Sequence, residues 1–336
     1  MTIKVLKPGM FSTIQDVGRF GHQHDGFATA GVMDIYSYRL GQTLIGNNGP
    51  AIEFTQVGPT LQFNQANTFV IAGPRTEAKL NGHIIPHQTV IQVRRGDQLE
   101  VGQVLTGMRG YILFGYPMSI DDVADSVSTH TRTEIGGLTG HVLQKGDILP
   151  IDYYHEQTGR PGQTSRYRYD FGLEEVPIHI LEGPQIDAFS QHAIDAIVSE
   201  NFEISSASDR MGYRLNGPSI APNIAEDMIS EPVALGSIQV PNDGQPIILL
   251  HDRQTVGGYV KIATVSRRDV ARLAQMKPGT RIRFTFESVS DATYALRKVE
   301  YEFERVMEQI RQTPRFHMSY VRNAKNNLME VIQEEY

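Results

Sequence analysis

Short runs rich in valine, isoleucine and aromatic residues dominate the chain from about residue 50 to about residue 290. Residues 68–72, 89–93, 110–114, 176–181, 245–250 and 259–265 predict strands. Their β-branched and aromatic side chains suit a pleated surface, and Gly, Pro, Asn or Asp bounds each run. Residues 281–286 alternate apolar and polar side chains, the two-residue period of a half-buried strand. Helices are fewer. Residues 33–46 predict one, with Asp34 as a candidate N-cap and Leu40, Leu44 and Ile45 on one side. Residues 190–199 predict a second, and Ser266-Arg-Arg-Asp269 has capping-box spacing ahead of Val270, Leu273 and Met276. Towards the C-terminus the rhythm changes: Leu296, Val299, Phe303, Val306 and Ile310 recur at three and four residues. After Thr313-Pro314 the rhythm resumes with Val321, Ala324, Leu328 and Val331, which predicts two amphipathic helices broken at the proline. Their apolar faces suit either the protein's own body or a partner.

A basic residue and a glycine turn precede a strand-like stretch three times, at Arg95-Gly-Asp97, Lys145-Gly-Asp147 and Lys277-Pro-Gly279. Glycine reaches positive φ without steric cost, so each is a strand-launching turn. Gly58-Pro-Thr-Leu61 is echoed by Gly217-Pro-Ser-Ile220. Reused turn chemistry and duplication of a β-domain both account for these echoes.

The 336 residues suffice for two domains, and the 31 glycines and 17 prolines are dispersed, which favours many strands over a helical bundle. The absence of cysteine excludes disulfides, thiolate metal sites and a thiol nucleophile. A net charge of −7 disfavours a general nucleic-acid footprint. The first ten residues carry no apolar stretch of the signal-peptide kind, and the longest apolar runs fall far short of the roughly 20 residues that span a bilayer. A soluble cytoplasmic protein is expected.

No phosphate loop, zinc-protease helix, nucleophile elbow or dinucleotide fingerprint is present, so ATP used by any pathway containing this chain is expected on another protein of the complex. His22 and His24 flank a glycine-rich stretch that predicts a loop rather than a metal site, and Pro86 removes the helix that would join His83 to His87. Met276-Lys277-Pro278 predicts a turn rather than a biotin-attachment hairpin.

Two regions are denser in polar chemistry than strands require. The first gathers residues 12–19, 31–34 and 53–59; the second gathers 205–215, 236–241 and 252–262. Carboxylates, arginines and amides stand there beside glycines and apolar strand residues, and an unpaired buried charge is costly. They either brace a barrel or converge as a polar site suited to an amide or carboxylate ligand.

The same regions resemble the family variously called allophanate hydrolase subunit 2, KipI antagonist or the C component of 5-oxoprolinase, and the carboxyltransferase domain of urea carboxylase. The resemblance rests on STIQDVGRFG (12–21), GVMD (31–34), IEFTQVGPTLQF (52–63), GPQIDAF (183–189), SSASDRMGYRLNGP (205–218) and the long run from Ser230 to Val265. It implies a mainly β fold of two tandem cyclophilin-like β-barrel domains, at 1–170 and 171–290, with few short helices and a C-terminal helical extension at 291–336. There are departures. The family's Gly-Ser-Arg-Ser-Thr stretch is Asp125-Ser-Val-Ser-Thr129 here, so its arginine is lost; the preceding Gly-Gly is Gly115-Tyr116, and a later Gly-Arg is Gly140-His141. Gly-Ala-Met-Asp has become Gly31-Val-Met-Asp34.

The resemblance implies one part of an ATP-dependent 5-oxoprolinase that hydrolyses 5-oxoproline to L-glutamate. Its companions would be a KipI-like subunit, the B component, and a lactam-utilisation subunit, the A component. ATP would be held by or shared with a companion, and no covalent cofactor is expected. Two alternatives stand beside it: carboxyl transfer from carboxybiotin to an amide or urea nitrogen, and non-catalytic antagonism of a KipI-like kinase inhibitor. By resemblance, Gln15, Asp16, Arg19 and Asp34 form one polar cluster. Ser208, Asp209 and Arg210 form another with Gln239, Gln254, Tyr259 and Lys261. Asp34 or Asp209 would serve as acid or base, Arg19 and Arg210 as anion clamps, and Lys261 as charge stabiliser. No metal is expected. Each of these residues also suits a turn or a structural ion pair, and Gly257 and Gly258 suit a tight turn or a close approach.

Overall fold

The structure, a computed structural model, describes residues 2–167, 177–223 and 228–334, with side chains as far as residue 326. It is mainly β, as expected, with five α-helices among the described residues. The chain divides into two compact units. The first comprises Met1–Val17, Ile35–Tyr169 and Glu302–Tyr336; the second comprises Gly18–Asp34 and Asp170–Tyr301. The N-terminal segment Gly18–Asp34 thus belongs with the second unit, and the chain from Glu302 onward with the first. The expected boundary at 170/171 and the strand-start residue Val176 lie outside the described residues.

Two large sheets and one two-stranded pairing build the first unit among the described residues. One has the order Ile148–Pro150, Thr2–Lys7, Thr60–Phe63, Gln98–Val104, Thr76–Leu80, His83–Ile84; the other has Phe11–Gln15, Ala51–Thr55, Arg109–Phe114, Asn67–Ala72, Ile91–Val93. Val5, Phe54, Leu61, Phe63, Phe69 and Ile112 are among its fully buried core. Helix α1 (Ile35–Ile45) buries Leu40, Leu44 and Ile45, as its spacing predicted. The expected strand 89–93 begins only at Ile91, because Thr89 bridges Thr164 and the Val90 amide donates to the Gln163 carbonyl.

The second unit is built on an eight-stranded sheet running Arg281–Ile282, Phe202–Ile204, Gly212–Asn216, Ile247–Leu249, Ser237–Val240, Val260–Val265, Ile178–Glu182, Phe284–Phe286, together with a two-stranded ladder of Glu231–Pro232 and Val256–Gly257. The alternating stretch 281–286 is therefore not one strand. Its first half pairs antiparallel with Phe202–Ile204 at one edge, and its second half pairs parallel with Ile178–Glu182 at the other. Arg283 alone separates the two halves, so the sheet must curl until its edges nearly meet. The interior of this barrel holds Ile180, Phe202, Ile238, Ile248, Ile262 and Phe284.

Helix α2 (Gln191–Ser199) is capped by the Ser190 side chain, which accepts from the Ala193 amide at 3.2 Å. Helix α3 (Arg267–Ala274) lacks the expected capping box: Ser266 makes no side-chain cap, and its amide donates to the His179 carbonyl. Asp269 turns instead to the His179 amide at 2.8 Å and Arg272 Nη1 at 2.7 Å. Helices α4 (Val289–Gln312) and α5 (Met318–Glu334) are separated at Pro314, and Arg315–Phe316 between them pairs with Gln163–Thr164. In the first unit, the Phe303 ring on α4 meets Tyr36 and Tyr167 edge-on, with the Arg39 guanidinium 4.8 Å from its centroid. That face packs on the protein's own body; Leu328 and Val331 lie beyond the described side chains. Among the described residues no helix is long and apolar enough to cross a membrane.

All three glycine turns form. Gly96, Gly146 and Gly279 take φ of +93°, +99° and +87°. Two of them share an aspartate device, in which Asp97 accepts from the Arg94 amide at 2.7 Å and Asp147 from the Gln144 amide at 2.8 Å.

Candidate functional site

In the second unit the turn 205–214 is set by its own polar side chains. Ser208 Oγ accepts from the Arg214 amide at 3.0 Å, and Asp209 Oδ1 accepts from the amides of Met211 at 2.8 Å and Gly212 at 3.2 Å. This turn directs Arg210 inward. Its guanidinium forms a two-pronged pair with Asp252, at 2.9 Å from Nε and 2.8 Å from Nη2, and Nη2 also donates to the Gly31 carbonyl at 2.6 Å. Arg253 works beside it on the same segment, donating to Thr29 Oγ1 and to the Val233 carbonyl, both at 3.0 Å. Burial, with Arg267 adding repulsion, pushes Arg253 down to about 10, still protonated at neutral pH. Asp34 is fully buried and accepts from Gln275 Nε2 at 2.8 Å; Arg19 is also buried, and its amide donates to the Thr29 carbonyl. Arg210, Arg253 and Gln275 thus tie the segment Gly18–Asp34 to the barrel of its own unit, and the Arg19 bond closes the segment on itself.

A second centre lies on neighbouring strands of the same barrel. Gln239 and Lys261 are cross-strand partners, which sets their side chains next to each other. Both are buried, at 1% and 3% exposure, each flanked by isoleucine and valine in its strand. Lys261 Nζ lies 3.2 Å from Glu231 Oε2. Gln185 joins the two: its Oε1 accepts from the Lys261 amide at 3.1 Å, and its Nε2 donates to Glu231 Oε2 at 2.9 Å. Gln239 Nε2 donates to the Tyr259 carbonyl at 3.4 Å. Glu231 sits in register opposite Gly257, and a Cβ on that glycine would lie 2.6 Å from Gln239 Nε2 and 3.3 Å from Gln254 Nε2. Gly257 therefore lets two amides approach the strand end. Lys261, Gln239 and Gln254 thus gather with Gln185 and Glu231 as one polar centre, which Tyr259 joins through its backbone carbonyl and which is exposed at Gln254.

Gln15 and Asp16 belong to the first unit. Gln15 Nε2 donates to Thr13 Oγ1 and the Thr129 carbonyl, both at 3.0 Å. Asp16 accepts from Ser126 Oγ at 2.6 Å, Ser128 Oγ at 2.5 Å and the Val127 amide at 2.9 Å. It thereby shapes the loop through Ala124 and Asp125, which take left-handed φ of 53° and 59°. The Val127 side chain packs against the apolar core of this unit. His22, His24 and Asp25 share a short turn, with His24 Nε2 3.3 Å from Asp25. Among the described residues no three His, Asp or Glu side chains form a group that could hold a metal ion.

Residues 25–286 match the family described as carboxyltransferase domain, subdomain A and B. The chain belongs to the carboxyltransferase domain family. It is 35% identical to the C subunit of 5-oxoprolinase from Haemophilus influenzae over 310 residues, and 32% identical to that from Escherichia coli over 311. Each match covers 90% of this chain and 97% of the relative. The crystal structure of the Kluyveromyces lactis urea carboxylase superposes with a TM-score of 0.80 at 27% identity, covering 92% of this chain and 29% of that one.

Gln185, Glu231, Asp252 and Gln275 are not among the candidate residues of the sequence, yet they partner Lys261, Arg210 and Asp34. Gln185 and Glu231 stand inside quoted motifs, but each reads as a lone polar residue beside a proline. Their pairing depends on three segments meeting, which spacing along one segment does not reveal. The signal that existed was Lys261 itself: a lysine between valine and isoleucine in a buried strand needs a carboxylate nearby.

Proposed function

We propose that this chain is one subunit of an ATP-dependent 5-oxoprolinase, opening the lactam of 5-oxoproline to L-glutamate together with KipI-like and lactam-utilisation companions. One observation carries the reading: the likeness to two 5-oxoprolinase C subunits spans nearly the whole of both chains, whereas the Kluyveromyces lactis urea carboxylase is more than three times longer than the part matched. The centre at Lys261 suits the chemistry. A lactam is a poor electrophile, and its carbonyl oxygen gains negative charge as water adds. A buried ammonium fixed before the reaction stabilises that charge without reorganising. Lys261 is therefore the charge stabiliser in this reading. Gln239, Gln254 and Tyr259 serve substrate binding in this reading, whereas Ser208 and Asp209, engaged by the amides of Arg214, Met211 and Gly212, set the turn. Arg210, engaged by Asp252 and Gly31, acts by holding the turn rather than by clamping the anion. Arg19, Asp34, Gln15 and Asp16 support the segments around them. ATP belongs to the companions, since the sequence carries no phosphate loop.

The fold likeness to urea carboxylase favours a second reading, carboxyl transfer from carboxybiotin to an amide nitrogen. The loop at 125–129 fits it poorly: where the resembled family has arginine, Val127 packs into the core and offers an anion no charge. The two readings separate in reconstitution. The chain mixed with both companions should hydrolyse ATP only when 5-oxoproline is added. Activity that requires biotin carboxylase and urea, with none on 5-oxoproline, would replace the first reading by the second. Tight binding to the KipI-like protein without either activity would leave an antagonist.

A further inference from the structure

The two oxygens of Glu231 are used unequally. Oε2 accepts both from Gln185 Nε2 at 2.9 Å and from Lys261 Nζ at 3.2 Å, whereas Oε1 accepts no hydrogen bond among the described residues. Exposure is just as lopsided: the Lys261 side chain is 4% exposed and that of Glu231 is 45%. A carboxylate present only to neutralise a buried ammonium has no need of a second fixed donor on the same oxygen. Gln185 cannot turn freely either, because its Oε1 is held by the Lys261 amide in the strand. The orientation of Glu231 is thus tied to the backbone of Val260–Val265, and its half-exposed carboxylate leaves Oε1 as an acceptor with no donor among the described residues.

The surroundings describe what it would accept. Opposite Glu231 the ladder carries Gly257, with no side chain. Ile229, Val256 and Tyr259, on the segments flanking Glu231, Gly257 and Lys261, are exposed apolar side chains. An acceptor paired with a buried cation, on segments that also carry exposed apolar side chains, suits a small flat molecule that shows an N–H on one edge and a carbonyl oxygen nearby. We infer that Glu231 Oε1 receives the amide N–H of the substrate, a lactam or a urea, and that Gln185 and Lys261 position it. The inference rests on the site assigned above but specifies the group that reads the substrate nitrogen.

The test is ligand binding by the full-length chain, alone and with its companions, using 5-oxoproline, urea and N-methyl-5-oxoproline in titration calorimetry. Glu231→Gln is the informative variant. The donors from Gln185 and Lys261 require an acceptor at the Oε2 position, so the new amide must present its NH2 where Oε1 stood, donor against donor. The wild type should bind 5-oxoproline or urea and discriminate against the N-methyl compound about tenfold or more. Glu231→Gln should weaken the N–H ligands about tenfold and abolish the discrimination; it should also lower the thermal midpoint, because the buried Lys261 ammonium keeps an amide oxygen but loses its counter-charge, so binding is read well below that midpoint. Equal wild-type binding of both lactams, no binding of any of the three, or unchanged discrimination in Glu231→Gln would overturn the inference. If that variant only unfolds, Gln185→Leu replaces it, and unchanged discrimination there is equally fatal. Discrimination without 5-oxoproline-dependent ATP hydrolysis would sink the proposed function and leave this inference standing; binding of urea but not of 5-oxoproline would do the same.

Discussion

Arg210 and Lys261 are both buried cations, yet their carboxylate partners differ in exposure, and that difference decides what a substitution does. Asp252 is as buried as Arg210, so Arg210→Ala leaves a carboxylate without its guanidinium inside the fold. The expected loss is about 3–5 kcal/mol in urea unfolding; a loss under about 1 kcal/mol would show that the pair is not a brace. Glu231 can hydrate when Lys261 is removed, so Lys261→Met should cost about 1 kcal/mol or less. It should lower the turnover of the reconstituted complex about 100- to 1000-fold, the scale of one lost oxyanion donor. Tyr38 gives a pH signature. Burial, then the Asp16 carboxylate, pushes its phenol above the ordinary value of about 10, while its hydroxyl donates to the Gly49 carbonyl. Above that value the unfolded chain releases the proton and the folded chain keeps it, so stability falls as pH rises. Tyr38→Phe should cost about 1 kcal/mol at neutral pH and make the alkaline loss measurably shallower in denaturant titrations; an unchanged slope would refute the assignment. At this scale the sequence showed which residue types were out of place, such as Lys261 and Gln239 in apolar strands. It did not show their partners, because Gln185 and Glu231 lie 76 and 30 residues away.

Elements were the most legible level. The glycine turns, the strands at 110–114 and 259–265 and the helix at 190–199 follow from local periodicity and capping, and they formed where predicted. The stretch 281–286 did not, since alternation registers one buried face but not that a barrel seam divides the strand between two partners. The capping box at Ser266 failed for a similar reason: Asp269 found better partners in His179 and Arg272. The periodicity of α4 was readable, and its Phe303 and Met307 are each 1% exposed in the first unit. Phe303→Ala should therefore destabilise by about 3–5 kcal/mol, as loss of a core aromatic does. A change below about 1 kcal/mol would mean that this face awaits a partner instead.

Over the whole molecule, length gave two units, but not the crossing of the segment Gly18–Asp34 to the second one. That exchange is nonlocal, fixed by Arg210, Arg253 and Gln275 from late in the chain. It brings together stretches far apart in sequence, such as 31–34 and 205–218, through the bond from Arg210 to the Gly31 carbonyl within one unit. In the function proposed above, this chain completes a lactam-opening complex. The most direct measurement is glutamate released from 5-oxoproline and ATP by the three purified proteins, compared with the same mixture lacking this chain. Glutamate should form in step with ATP hydrolysis in the full mixture and be absent when the chain is left out; equal release with and without it would contradict the account.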